Sequence, residues 1–562
     1  MRSSTILLIA SLILGAGTAL AGSRSGALVD SAWQVWQRQN YAVAEKQLHE
    51  AIAADPADPR AYVTLALLEN SRSRYRECWD ALRMLSERDP NIYPYLFSFW
   101  QTIRFRLKDD FAATGLLQYL ENLTKSADDL GILPPQTAEA LEEYYRERHN
   151  LSMAGRWHAK IDAVTDWMLI GPFENVSASG YDKAYPPETG YNPAGSYEGK
   201  GGIPAAWFPI ASPGPDTWID FMMHFGFKES IFYANTFVYS PDRRKVHLRV
   251  GTSGSLRAFL NDEMVLEYVD ENNNDLDTYN VATELQKGWN RVLIKCGCSE
   301  IDKCNFLVRI TGEHGEPIEG LRVSEEPQVY AHKPSAPAVL LENPFESFFS
   351  GQIVTYPDRA ENYALLAQVY LRDDKAPQAE KVLRAALKRW PECAQFYTLL
   401  MEAYQRGKKS DETDELVTRL ASIDSQLEEV LAYRVNEAVR NEEYQKAEEY
   451  IAQLKSQGAD PVAVYNMEIG LLGKQKEIDR LVSLNAEAHA KYPLNWDFAN
   501  LQAVIESEVH HDPEKAAAVV KATLERSYGL PHLSALATYY LKAGKFDRWE
   551  ETMKEAVDLA PS

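Results

Sequence analysis

The chain has 562 residues, 45% of them hydrophobic and 25% charged, and carries a net charge of −22 at pH 7. That length fits about three to four domains, and the composition is ordinary for a soluble globular protein. The acidic balance argues against nucleic acid or an anionic membrane as a general partner, because phosphate binding needs clustered Lys and Arg.

The N-terminus reads as an address. Met1-Arg2 is basic, Ile6 to Leu14 is apolar, and Ala19-Leu20-Ala21 precedes Gly22. This predicts a secretory signal peptide over residues 1–21, too short to span a membrane. No later apolar run reaches spanning length, so the mature chain is expected to be exported and soluble, periplasmic or extracellular.

Residues 25–156 read as helical. Tyr41, Ala44, Leu48, Ala51 and Pro56 recur 34 positions on as Tyr75, Cys78, Leu82, Leu85 and Pro90. The stretch after Tyr93 keeps helical spacing in Phe97, Trp100 and Ile103, then in Ala138, Leu141, Tyr144 and Tyr145, but loses the repeat. From about residue 157 to 325 the period changes. Val246 to Val250, Leu256 to Leu260 and Arg291 to Lys295 alternate as half-buried strands do, with Gly251 to Gly254 and Asn261-Asp262 supplying turn chemistry. Short strands at this density predict an antiparallel, jelly-roll-like β-sandwich. Residues 326–357, with Pro327, Pro334, Pro337 and Pro344, read as a linker, although Phe345, Phe348 and Phe349 could dock on a neighbouring surface.

The period of 34 returns over residues 358–562. Pro391 steps to Ser425, Ala459, Pro493, Ser527 and Pro561; Tyr363 steps to Tyr397, Leu431 and Tyr465. Around residues 496–529 the mask fits only with a one-residue shift, at Lys515-Ala516-Ala517. With Leu366, Ala367, Tyr370, Ala379 and Ala386, this mask resembles the tetratricopeptide repeat family. The resemblance implies pairs of antiparallel helices that share one core when stacked, forming an α-solenoid with a concave face. The expected fold class is therefore α+β multidomain, with tetratricopeptide-type helical hairpins flanking the sandwich.

A second resemblance rests on Trp167 to Asn175, Tyr185-Pro186-Pro187-Glu188, Arg249-Val250-Gly251-Thr252, Phe259 to Asp262 and Gly288 to Lys295. Together they look like an exported galactose-binding-like module of the kind that precedes transglutaminase-like domains. Repeats follow here instead of a papain-like core, and Asp262 stands where that family usually has Gly.

Few residues suggest chemistry. A cysteine nucleophile needs a partnered His, and the only Cys after the sandwich, Cys393, lies in an inter-repeat turn. No phosphate-cradling glycine loop is present, so neither catalysis nor a cofactor is expected. Cys298 and Cys304 can pair as a hairpin disulfide in an oxidising compartment; buried thiols are the alternative, and a metal site there lacks ligands. Asp270 to Asp277 resembles a calcium loop in composition only, since Asp275 and Val281 stand where Gly and Glu are required; it reads as a solvated turn, and no metal is expected.

Two constellations remain. Arg372, Arg406, Arg440, Lys474 and Lys542 occupy the thirteenth repeat position, which in the family ends the first helix near the concave face. They form either a basic ladder for an acidic or extended peptide or simple complements to helix C-termini. Trp207 and Trp218, in a stretch rich in Pro and Gly, are candidates for stacking on sugar rings. The expected function is a non-enzymatic scaffold binding a protein or peptide partner in the cell envelope. The alternative is a glycan-binding accessory that uses the sandwich on a polysaccharide.

Overall fold

The computed structural model describes residues 24–124, 131–210, 218–333, 336–493, 495–525 and 527–559. The predicted signal peptide, Pro334 and Pro561 lie outside the described residues. The chain divides into two compact units, each built from two separate stretches: Met1–Thr114 with Phe345–Leu484, and Gly115–Pro344 with Asn485–Ser562.

The first unit is helical. Its first helices start at Ala360, Ala394 and Glu428, and the second helices start at Ala376, Ser410 and Tyr444, so the sequence period is realised residue for residue. The same spacing separates the N-terminal helices Tyr41–Ala54 and Tyr75–Ser86. Ala364, Ala367, Ala379 and Ala386 are fully buried, because only small side chains let neighbouring helix backbones approach closely. The turns repeat as well. Gln39, Ser73, Asp374, Lys408, Glu442 and Lys476 all hold φ between 54° and 60°, the left-handed conformation that closes each hairpin at a steric cost for a side chain.

Within this unit the N-terminal helices pack on the first helices of the later repeats. Arg60 pairs with Glu361 at 2.5 Å, the rings of Trp33 and Phe396 stack at 6.0 Å, and Ser98 Oγ donates to the Leu365 carbonyl at 3.2 Å. Residues expected to be linker form the helix Pro344–Thr355. Its Phe345 and Phe349 are buried, and Phe345 stacks on Phe97 at 4.2 Å.

The second unit centres on an antiparallel sheet of eleven described strands. The long strand Arg244–Leu260 organises it by changing partners along its length. Residues 244–250 pair with Tyr279–Leu285, residues 247–253 with Asn305–Thr311, and residues 255–260 with Gly288–Cys298. The exchange falls at two glycines. A Cβ on Gly251 would meet the Asp275 carbonyl at 2.6 Å, and Gly254 holds φ at +117°, so neither position accepts a side chain without strain. Through this strand the hydrogen bonding of the whole sheet is connected. The alternation read from the sequence places Val246, Leu248, Val250, Leu256, Ala258 and Leu260 in one apolar core.

Helices Leu133–Glu147 and Leu151–Ile161 pack on this sheet through polar bonds. Gln136 Nε2 donates to the Leu276 carbonyl at 3.1 Å, and Arg309 Nε to the Ile161 carbonyl at 2.5 Å. The last repeats join the same unit, with Tyr528 N donating to the Glu147 carbonyl at 2.8 Å. The out-of-phase repeat has a local cause. A π-helical turn at Ile505–Val509 takes up one extra residue, so the following helix starts at Pro513 and its Ala516 and Ala517 still reach the core.

Of the two readings of Cys298 and Cys304, the structure has the buried thiols. All five cysteines are free and buried, and the neighbouring Cys304 thiol lowers the pKa of Cys298. Asp262, the departure from the galactose-binding-like pattern, also acquires a reason. It lies in a two-residue hairpin turn with Asn261, both at positive φ, and its carboxylate accepts from Arg291 at 2.8 Å and from Tyr330 at 2.9 Å. Arg291 is 1% exposed, so a glycine here would leave a buried guanidinium without its counter-charge.

Candidate functional site

Both stretches of the first unit contribute walls to one polar cavity of about 420 Å3. From the N-terminal stretch come Asn70 and Ser71 at the end of the helix Pro59–Asn70, Tyr75, and the segment from Ser98 to Arg106. From the repeats come Gln368 and Arg372, then Gln395, Thr398, Glu402 and Arg406, then Glu429. These fall on three successive first helices, Ala360–Arg372, Ala394–Arg406 and Glu428–Arg440. The helix period thus aims one face of each at the same space.

The N-terminal wall is irregular. Thr102–Arg106 forms a π-helical turn, a feature that recurs at functional sites because it redirects side chains out of helical register. It leaves Phe105 half exposed at the cavity and sets the Arg106 guanidinium over the Tyr75 ring, 5.7 Å from its centre. Thr102 Oγ1 donates to Asn70 Oδ1 at 2.7 Å.

The charges in the cavity differ in how they are held. Arg406 is paired with Glu402 at 2.8 Å and with Asp374 at 3.3 Å. Burial opposes its charge, but the two carboxylates outweigh that and raise its pKa. Burial pushes the Glu429 carboxyl up to about 7, and Glu428 and Asp424 add to the effect. Gln368 Oε1 is buried without a hydrogen-bond partner.

The family model for tetratricopeptide repeats matches residues 29–84 and 365–417. These two stretches carry tetratricopeptide repeats. Similar solved structures include a tetratricopeptide repeat protein from Parabacteroides merdae, at 15% identity over 38% of this chain and 85% of that one, with a TM-score of 0.31. The pilF protein of Pseudomonas aeruginosa gives 16% identity over 36% of this chain and 92% of its own, with a TM-score of 0.31. Yeast Tom70 gives 11% identity over 96% of this chain and 85% of its own, with a TM-score of 0.32. No curated protein matches the chain at a significant level.

The helical repeats distribute the five predicted ladder cations unequally. Arg372 is 2% exposed; its guanidinium lies 3.7 Å from the Phe97 ring centre and donates to the Phe97 carbonyl at 3.4 Å. Arg406 lines the cavity but is held by its two carboxylates. Arg440 and Lys474 are exposed and do not line it. Lys542 belongs to the second unit, where it pairs with Glu508 at 2.6 Å. The repeat position is therefore one sequence feature with several structural fates.

The two sugar-stacking candidates differ in burial. Trp207 is 7% exposed and packs edge-on against Tyr191 at 5.2 Å. Trp218 is half-buried and donates its Nε1 proton to Glu139 at 2.7 Å, with its ring against Gly251. Burial leaves little of the Trp207 ring accessible, whereas Trp218 keeps part of its surface exposed. In the loop that resembles a calcium site, Asp277 is buried and receives Arg309 and, at 3.5 Å, Arg249. Guanidinium groups take the place of an ion. Sequence reasoning missed Arg106, Gln101 and Tyr75 as lining groups. The segment after Tyr93 has no repeat mask, and nothing local says which helices it faces.

Proposed function

We propose that this protein is a non-enzymatic interaction scaffold in which the first unit holds a segment of a partner protein in the cavity between Tyr75, Arg106 and Arg406. The observation that most supports this reading is the convergence of side chains from the N-terminal helices and from three successive repeats on one polar space. Its volume lies within the range of about 300–1,000 Å3 usual for ligand sites. Rigid helices position the lining groups before any ligand arrives, which lowers the entropic cost of binding. The repeats themselves favour a protein partner, since such arrays offer extended concave binding surfaces. With the export expected from the N-terminus, that partner belongs to the cell envelope. Polysaccharide binding has no comparable support once Trp207 and Trp218 are accounted for by packing.

The test is photocrosslinking in cells that produce the full chain. A benzophenone amino acid at Phe105, half exposed at the cavity, is compared with one at Val329, 95% exposed in the second unit. A discrete protein adduct from position 105 alone supports the scaffold. Equal adducts from both positions, or none from either, would sink it.

A further inference from the structure

Among the described residues that line the cavity, Arg106 is the cation without an ion-pair partner. Among the described residues no carboxylate stands within ion-pair distance of Arg106, whereas Arg406 on the repeat wall is held by Glu402 and Asp374. Glu428 feels the Arg106 charge only through space, without a bond between them. Arg106 is exposed, so leaving it unpaired costs little until a ligand arrives. Its guanidinium is held over Tyr75, which restricts its rotamers and pre-arranges its planar donor fork. In a chain of net charge −22, an unpaired Arg facing a cavity is the group on which an incoming anion gains most.

The remaining lining points to the rest of the ligand. Asn70, Gln101, Gln368 and Gln395 bring their carboxamides to the space, each with donors and an acceptor, the same complement that a peptide main chain offers in return. Gln395 is 7% exposed, and the buried Gln368 Oε1 has no partner, so turning its carboxamide toward a ligand N–H breaks no existing bond of that oxygen. Phe105 adds an apolar contact at the cavity edge. Glu429 does not oppose an anion strongly, since burial leaves its carboxyl partly protonated near neutral pH.

Resting on the scaffold reading above, we propose that the cavity takes an extended, acidic peptide segment, with Arg106 as the charge partner of an Asp or Glu side chain and the carboxamides bonding its main chain. The anchor lies on the π-helical turn and not on the thirteenth repeat position, which separates this site from the predicted ladder.

The full chain and its Arg106→Gln variant are each applied to an array of randomised, end-blocked nonapeptides, and affinities of bound sequences are then measured by fluorescence anisotropy. Wild-type protein is expected to select peptides containing Asp or Glu. Replacing that acid by its amide, or Arg106 by Gln, is expected to weaken binding about tenfold, with no further loss when both are changed, because a charge-assisted bidentate bond is removed either way. Arg106 is exposed, so the variant is expected to fold, and circular dichroism checks that it has. If bound peptides show no acidic preference, or Arg106→Gln keeps it, the assignment of Arg106 is overturned while peptide binding stands. If no peptide binds, both this inference and the scaffold reading fall.

Discussion

The guanidinium of Arg372 stands 3.7 Å from the centre of the Phe97 ring, joining stretches 275 residues apart in the chain. A cation expected to greet a ligand is instead part of the packing between the N-terminal helices and the repeats. Arg372→Ala removes a desolvated cation–π contact and charged hydrogen bonds, and is expected to destabilise the first unit by about 3 kcal/mol. Arg440→Ala, at the same repeat position but exposed, should change stability by less than about 0.5 kcal/mol. Hydrogen exchange across the helix Ala360–Arg372 distinguishes the two. Equal protection in both variants would contradict the burial argument.

Asp277 sits between Arg249 and Arg309, with all three side chains at most 3% exposed. Removing its charge leaves two guanidinium groups buried without that counter-ion. Asp277→Asn is expected to cost about 3–5 kcal/mol, read as a lowered unfolding midpoint of the second unit. Millimolar calcium should leave the wild-type midpoint unchanged, since the carboxylate most buried in that loop is already engaged.

His532 is 8% exposed, lies tilted against Trp496 with ring centres 4.0 Å apart, and has no hydrogen-bond partner at either ring nitrogen. Burial lowers its pKa to about 4. The unfolded chain therefore binds a proton that the folded chain refuses between about pH 6.5 and 4, so stability falls as pH drops through that window. The full effect is on the order of 2 kcal/mol, allowing for some screening by solvent. His532→Phe should flatten this part of the pH profile in thermal unfolding; an unchanged slope would assign the acid sensitivity elsewhere.

Glu442 holds φ at 60° in a hairpin turn of the repeats. A residue with a side chain pays for that conformation, whereas glycine adopts it freely. Glu442→Gly is expected to raise stability by about 1 kcal/mol despite the greater entropy of the unfolded chain, and Glu442→Val to lower it. Chemical denaturation monitored in the adjoining helices Glu428–Arg440 and Tyr444–Gln457 checks both signs.

Much of the local structure is legible in the chain. The period of 34 anticipates where first helices begin at Ala360, Ala394 and Glu428, and the alternating runs at 246–250, 256–260 and 291–295 all fall within strands. Even the out-of-phase repeat is visible as a one-residue shift, although the π turn at Ile505–Val509 that absorbs it is not. The candidate site is far less legible. Arg372, Arg406, Arg440, Lys474 and Lys542 share one repeat position, and no local pattern distinguishes the buried member from the exposed ones. Trp207 and Trp218 look available because Gly and Pro surround them. Yet Tyr191 packs on the first, and Glu139, from a helix far back in the chain, takes the proton of the second.

Helix and strand periods, the small residues that permit close helix packing, and the hairpin turns can all be read from the amino acids alone, because each depends on side chains a few positions apart. The division into two discontinuous units, the packing of Arg372 on Phe97, and the meeting of Arg106 with Gln368 and Gln395 around one cavity come only from the folded chain. Those outcomes depend on which surfaces meet across hundreds of residues. Burial and ion pairing are properties of that meeting, not of either segment alone.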